Sequence, residues 1–189
     1  MGKNLSEDPP WTENSHIQHL SSAEIAEQLI GNGFCPIPVK AKTKKPAFND
    51  WHARAFQPSD FKDNCSVGLK SGNGLIGLDI DHYDPTVMQQ IRKEAERYFG
   101  VGLARIGQPP KILLLYRCDF ITKKQTLKLA PSGKAPEGKS EALEVLSKGQ
   151  QAVVSGIHPE TNAPYFWETV EPWDILAGQL NRLPLIREN

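Results

Sequence analysis

The sequence predicts an α+β domain, on three observations. Two segments have helical periodicity and open on capping residues. A series of short segments has the alternating or β-branched pattern of strands. Toward the C-terminal end those strand segments follow one another with no helix between them. Regular βαβ alternation would place a helix between each pair, so a mixed or antiparallel sheet flanked by helices is expected.

The length of 189 residues suits one domain with a real core, read here as residues 16–189 after a flexible polar leader over 1–15. Ser21-Ser22-Ala23-Glu24 is a capping sequence, and the following helix presents Ile25, Leu29 and Ile30 before Gly31 and Gly33 end it. A strand over 34–39 follows, then a basic loop over 42–46. Segments 67–69 and 75–81, joined by Ser71-Gly72-Asn73-Gly74, read as a β-hairpin. Asp84-Pro85 starts a second helix through Val87, Met88, Ile91, Ala95, Tyr98 and Phe99, with Gly100 as its stop. Strands are expected over 104–107 and 111–117, a long basic loop over 119–140, strands over 142–147, 151–155 and 164–168, and a closing helix over 172–181 with Trp173, Leu176 and Leu180 inward.

Composition narrows the function classes only a little. Lys plus Arg equals Asp plus Glu at 22 each, so a nucleic-acid partner would have to meet a local basic patch. Cys35, Cys65 and Cys118 are odd in number and far apart, which argues against a disulfide framework or zinc site and for a reducing cytosol. No apolar run is long enough to span a membrane, and the N-terminus lacks a signal peptide.

The most informative stretch is Leu78-Asp79-Ile80-Asp81-His82. On a strand, Asp79 and Asp81 share a face about 6–7 Å apart at the backbone, with Leu78 and Ile80 on the other. Their repulsion is relieved by a cation, and hard oxygen donors suit Mg²⁺ or Mn²⁺. A strand end with two solvated acids is the alternative. Leu143-Glu144-Val145 adds a third acid set between two core-facing residues. His82 has the opposite parity and reads as structural. Trp51, Trp167 and Trp173 are candidates for base stacking, with the core favoured for the latter two. Lys44, Lys45, Lys123 and Lys124 are candidates for charge-driven, sequence-independent contacts with DNA phosphates, or are solvated surface.

Taken together, these segments resemble one family. Gly68-Leu69-Lys70-Ser71-Gly72 followed by Leu78-Asp79-Ile80-Asp81 resembles the first motif of the archaeo-eukaryotic primase superfamily, in particular the primase–polymerase domain of phage and plasmid replication proteins. Arg105-Ile106-Gly107-Gln108-Pro109-Pro110-Lys111, running into Leu115-Tyr116-Arg117, resembles the second motif. Leu143-Glu144-Val145-Leu146, with Ser155-Gly156-Ile157-His158-Pro159 and Tyr165-Phe166-Trp167, resembles the third.

The resemblance implies a primase-like catalytic core around an RRM-like sheet. It makes Asp79, Asp81 and Glu144 the catalytic, metal-binding acids for a two-metal Mg²⁺ or Mn²⁺ site. It also implies binding of the incoming nucleoside triphosphate by Lys111, His158, Arg105, Arg117 and Ser155, the last shaping its turn and offering a phosphate contact. Lys111 departs from the family's usual second-motif His. The implied activity is a DNA primase and DNA polymerase: nucleotidyl transfer on a single-stranded DNA template and primer in a prokaryotic or phage-infected cytoplasm. Members often continue into a helicase region, so the chain is either an excised domain or a naturally short protein that meets a replication partner. The alternatives are a non-catalytic nucleotide- or DNA-binding module and a metal-dependent nuclease.

Overall fold

The computed structural model describes residues 20–72, 74–120, 122–174 and 179–187. The leader expected over 1–15 and Leu176 lie outside them.

The fold is α+β, with two helices and two sheets. The first helix, α1 (Ser22–Gly31), begins with a complete capping box: Glu24 N–H donates to Ser21 Oγ at 3.2 Å and Ser21 N–H to the Glu24 carboxylate at 2.7 Å. It buries Ile25, Ala26 and Leu29, whereas Ile30 turns outward at 39% exposure. The second, α2 (Pro85–Phe99), is capped by Asp84 and buries Met88 and Ala95; Tyr98, one of the residues at helical spacing, is 69% exposed.

The small sheet is antiparallel, in the order β1 (Pro36–Val39), β2 (Ser66–Lys70), β8 (Gln151–Ser155). The large sheet runs β6 (Gln125–Lys128), β7 (Ala142–Leu146), β3 (Leu75–Asp81), β5 (Ile112–Cys118), β4 (Leu103–Ile106), β9 (Phe166–Trp167). These neighbours are antiparallel, and β10 (Leu185–Ile186) adds a parallel pairing to β5. Among the described residues, no helix is long and apolar enough to cross a membrane.

Strand alternation gives the large sheet two apolar faces. One carries Leu75, Leu103, Leu113, Leu115 and Leu146 and packs against the small sheet and α1. The other carries Ile76, Ile80, Ile112, Leu114 and Tyr116 and packs under α2.

Three expectations need correction. The segments on either side of residues 71–74 do not form a hairpin. β2 is already flanked by β1 and β8, and β3 by β5 and β7, so the glycine turn carries the chain from one sheet to the other. Gly72 is required there: its φ is +90° and an added Cβ would lie 2.5 Å from Lys148 Cα. The basic stretch over 119–140 is not a loop throughout, because β6 lies within it and pairs with β7. All four β6 residues are exposed, so no apolar alternation marked the strand. Finally, the closing helix is not formed in the described part of 172–181. Residues 172–173 are a turn, Gln179 is extended, and a 3-10 turn covers Leu180–Arg182. Trp173 is nonetheless buried, edge-on to Trp167 at 6.4 Å, so both tryptophans belong to the core.

Candidate functional site

Sheet register aligns the candidate side chains. Directly paired residues on antiparallel neighbours point to the same face. One such row runs Thr126, Glu144, Asp79, Leu113, Arg105, Trp167 across six strands. Glu144 is therefore directly across from Asp79, and Asp81 lies two residues along the same strand. All three acids sit on the face that meets the small sheet, where the apolar core gives way to a polar cleft.

The cleft has a volume of about 270 Å³. Lys44, Asp79, Asp81, Arg105, Lys111 and His158 line it, so six of the sequence-predicted residues from five segments are brought together. Two others are not. Arg117 lies four residues beyond Leu113 on β5, about 13 Å at strand rise, and lines a different cleft with Asn32 and Gln179. Ser155 pairs with Val67 in the small sheet and is not part of the lining. Lys45 and Lys123 are exposed and outside it as well.

The three acids are compensated unequally. Burial, and then the neighbouring charge of Asp81, push the Asp79 carboxyl up to about 6, against the pull of Arg105 and Lys44. Asp81 accepts an ion pair from Lys111 at 3.3 Å, and the same ammonium lies 4.1 Å from the Tyr83 ring centre. The Glu144 carboxylate is held from the edge of the sheet by Lys124 at 2.7 Å. As donors, three hard carboxylates on one face, with one of them at raised pKa, fit a divalent cation. Their oxygens are engaged separately, however, and among the described residues no group of three or more His, Cys, Asp or Glu side chains is gathered closely enough to hold a metal.

The wall beside the acids is a stack. The Arg105 guanidinium lies 4.7 Å from the Tyr165 ring centre, and His158 meets the same ring edge-on at 5.3 Å. Gly107 admits this stack, since a Cβ there would fall 2.6 Å from Tyr165 and 2.8 Å from His158. Arg105 Nε is buried with no hydrogen-bond partner, and burial lowers its pKa against the pull of Asp79. His158 Nδ1 accepts from the Glu160 and Thr161 N–H groups, so its proton sits on Nε2. Burial, then Lys44, lower its pKa. An orphaned guanidinium donor, a buried histidine and two lysines make this wall a receptor for an anion.

Sequence reasoning missed several participants. Lys139 and Glu160 also line the cleft and pair across it at 2.7 Å, yet Lys139 is one lysine among five in its stretch and nothing local distinguishes it. Glu141, only 5% exposed, accepts hydrogen bonds from the Tyr83 and Ser132 N–H groups and lies 3.7 Å from His82 Nε2. His82 is buried as expected of a structural residue. Asp84 N–H donates to its Nδ1, and Nε2 faces the Ala130 carbonyl at 3.2 Å. Together these side chains fasten the segment after β6 to the end of the acidic strand.

No model of a known protein family matches the chain, and no curated protein matches it significantly.

Proposed function

We propose that the protein is a template-directed nucleotidyltransferase, a primase–polymerase of the archaeo-eukaryotic primase type. The observation that carries this reading is the register of Asp79 with Glu144, with Asp81 on the same face, beside the anion-receptive wall of Arg105, Lys111 and His158.

In this mechanism Arg105, Lys111, Lys44 and the His158 Nε2–H receive the triphosphate oxygens, fixing the α-phosphate opposite the acids. Asp79, Asp81 and Glu144 are the residues that would hold Mg²⁺ or Mn²⁺ once their carboxylates converge, and the metal would supply activation of the 3′-hydroxyl and charge neutralisation of the pyrophosphate. Asp79 and Arg105 are partly withdrawn from solvent, so their charges are less screened than at the surface, which strengthens both interactions. Single-stranded DNA template and primer would approach along the exposed lysines Lys44, Lys45 and Lys123.

The test is primer synthesis and extension on single-stranded DNA with Mg²⁺ or Mn²⁺ and nucleoside triphosphates. Asp79→Ala and Asp81→Ala are each expected to reduce the rate by at least about a thousandfold, the loss of a metal-held phosphoryl centre. Full activity in both variants would remove the assignment. A second reading, a nucleotide-binding module without chemistry, is favoured by the separate engagement of the three acids. It predicts saturable triphosphate binding with no product in any primer assay.

A further inference from the structure

The geometry points to Lys111 and Lys124 as resident counter-cations of the acid row, each holding one carboxylate that a divalent ion would otherwise take. This inference rests on the nucleotidyltransferase reading and concerns how its site is assembled. Two of the three acids are ion-paired one to one: Asp81 with Lys111 at 3.3 Å and Glu144 with Lys124 at 2.7 Å. The two lysines come from different places, one from the start of β5 and the other from the lead-in to the edge strand β6, and they draw the carboxylates in different directions. Asp79, across from Glu144 and two residues before Asp81 on the same strand, has no such partner and is left to Arg105 and Lys44.

The two lysines differ in what can release them. Lys111 lines the cleft beside Arg105 and His158, so a triphosphate entering there offers its ammonium a stronger, doubly charged acceptor than a single carboxylate. Exchanging Asp81 for the phosphate frees Asp81 at the moment the nucleotide arrives. Lys124 does not line the cleft, and its side chain is 38% exposed, so it swings into solvent at little cost. Metal and nucleotide therefore bind with positive coupling: empty protein holds divalent ions weakly, and nucleotide converts Asp81 from a salt-bridge partner into a ligand. Lys111 and Lys124 are positioning residues for the acids, and Lys111 is in addition a phosphate ligand.

The experiment titrates Mn²⁺ into nucleotide-free protein and follows the loss of the free-ion paramagnetic resonance signal. Lys111→Met and Lys124→Gln are each expected to tighten Mn²⁺ binding by up to about fivefold, the worth of one solvent-accessible ion pair. Lys124→Arg, which keeps the charge, should bind like the wild type. In EDTA, Lys111→Met should instead weaken nucleoside triphosphate binding by about tenfold or more, as expected for one charge-assisted contact. These opposite movements of metal and nucleotide affinity are not produced by general damage. If Lys124→Gln and Lys111→Met bind Mn²⁺ no more tightly than the wild type, while Asp79→Asn abolishes binding, the counter-cation role is overturned and the metal site stands. If Asp79→Asn leaves Mn²⁺ binding unchanged, the metal site itself falls, and this inference with it. Lys124 is on the surface, so Lys124→Gln tests the idea even where Lys111→Met fails to fold.

Discussion

Replacing Asp79 with Asn isolates the cost of placing a carboxylate where the fold buries it. In the metal-free protein its pKa is pushed up to about 6 from an ordinary 3.8, by burial and then by Asp81. A carboxyl whose pKa is higher folded than unfolded favours the folded state when protonated. Its contribution is fully present below about pH 3.8 and is lost as pH rises through about 6. At about 1.4 kcal/mol per tenfold change in proton affinity, the difference amounts to about 3 kcal/mol. Above pH 7 the wild type carries this penalty in full, and Asp79→Asn, neutral and of the same shape, does not. Urea unfolding in EDTA from pH 4 to 8 should therefore show the variant more stable by up to about 3 kcal/mol at pH 8, the gap closing toward pH 4. Parallel pH profiles for the two proteins would refute the reasoning, as would a gap that widens toward acid.

Three further substitutions follow from the packing. Gly107→Ala places a methyl against Tyr165 and His158, and should destabilise by about 1–3 kcal/mol and weaken triphosphate binding, read by denaturation and equilibrium dialysis. Glu141→Ala strips the acceptors from the Tyr83 and Ser132 N–H groups. It should cost about 3 kcal/mol in denaturant titrations and make residues 129–140 more sensitive to protease. Trp167→Phe removes the indole N–H donated to the Val154 carbonyl at 3.1 Å, and with it about 1–2 kcal/mol, measured by the midpoint of urea unfolding.

Local signals in the sequence were sound at the helix starts and at the acidic strand, though not over 172–181, where no helix forms in the described part. Both helix starts are capped as Ser21 and Asp84 indicate, and the alternation at 78–81 puts Asp79 and Asp81 on one face. What was not legible depends on partners distant in sequence. Segments 67–69 and 75–81, each strand-like and joined by a glycine turn, look like a hairpin until the other neighbours of each are known. Lys139, Glu160 and Glu141 carry no periodic pattern, since their roles arise from contacts across the fold. Arg117 shares its parity with Leu113, but parity fixes only the face of a sheet. Position along the strand, which decides which cleft it lines, depends on how far the small sheet extends.

The cleft draws its lining from Lys44, from the strand bearing Asp79, from Arg105 and Lys111, and from the turn holding His158, positions that span most of the described chain. During synthesis the first of these leaves the ribosome more than a hundred residues before the last, and β2 must wait for most of that interval before β8 is made and can pair with it. Nascent or truncated forms would thus hold acids and lysines with no pocket between them. Formation of the cleft is thus a late event that reports the joining of distant parts of the chain.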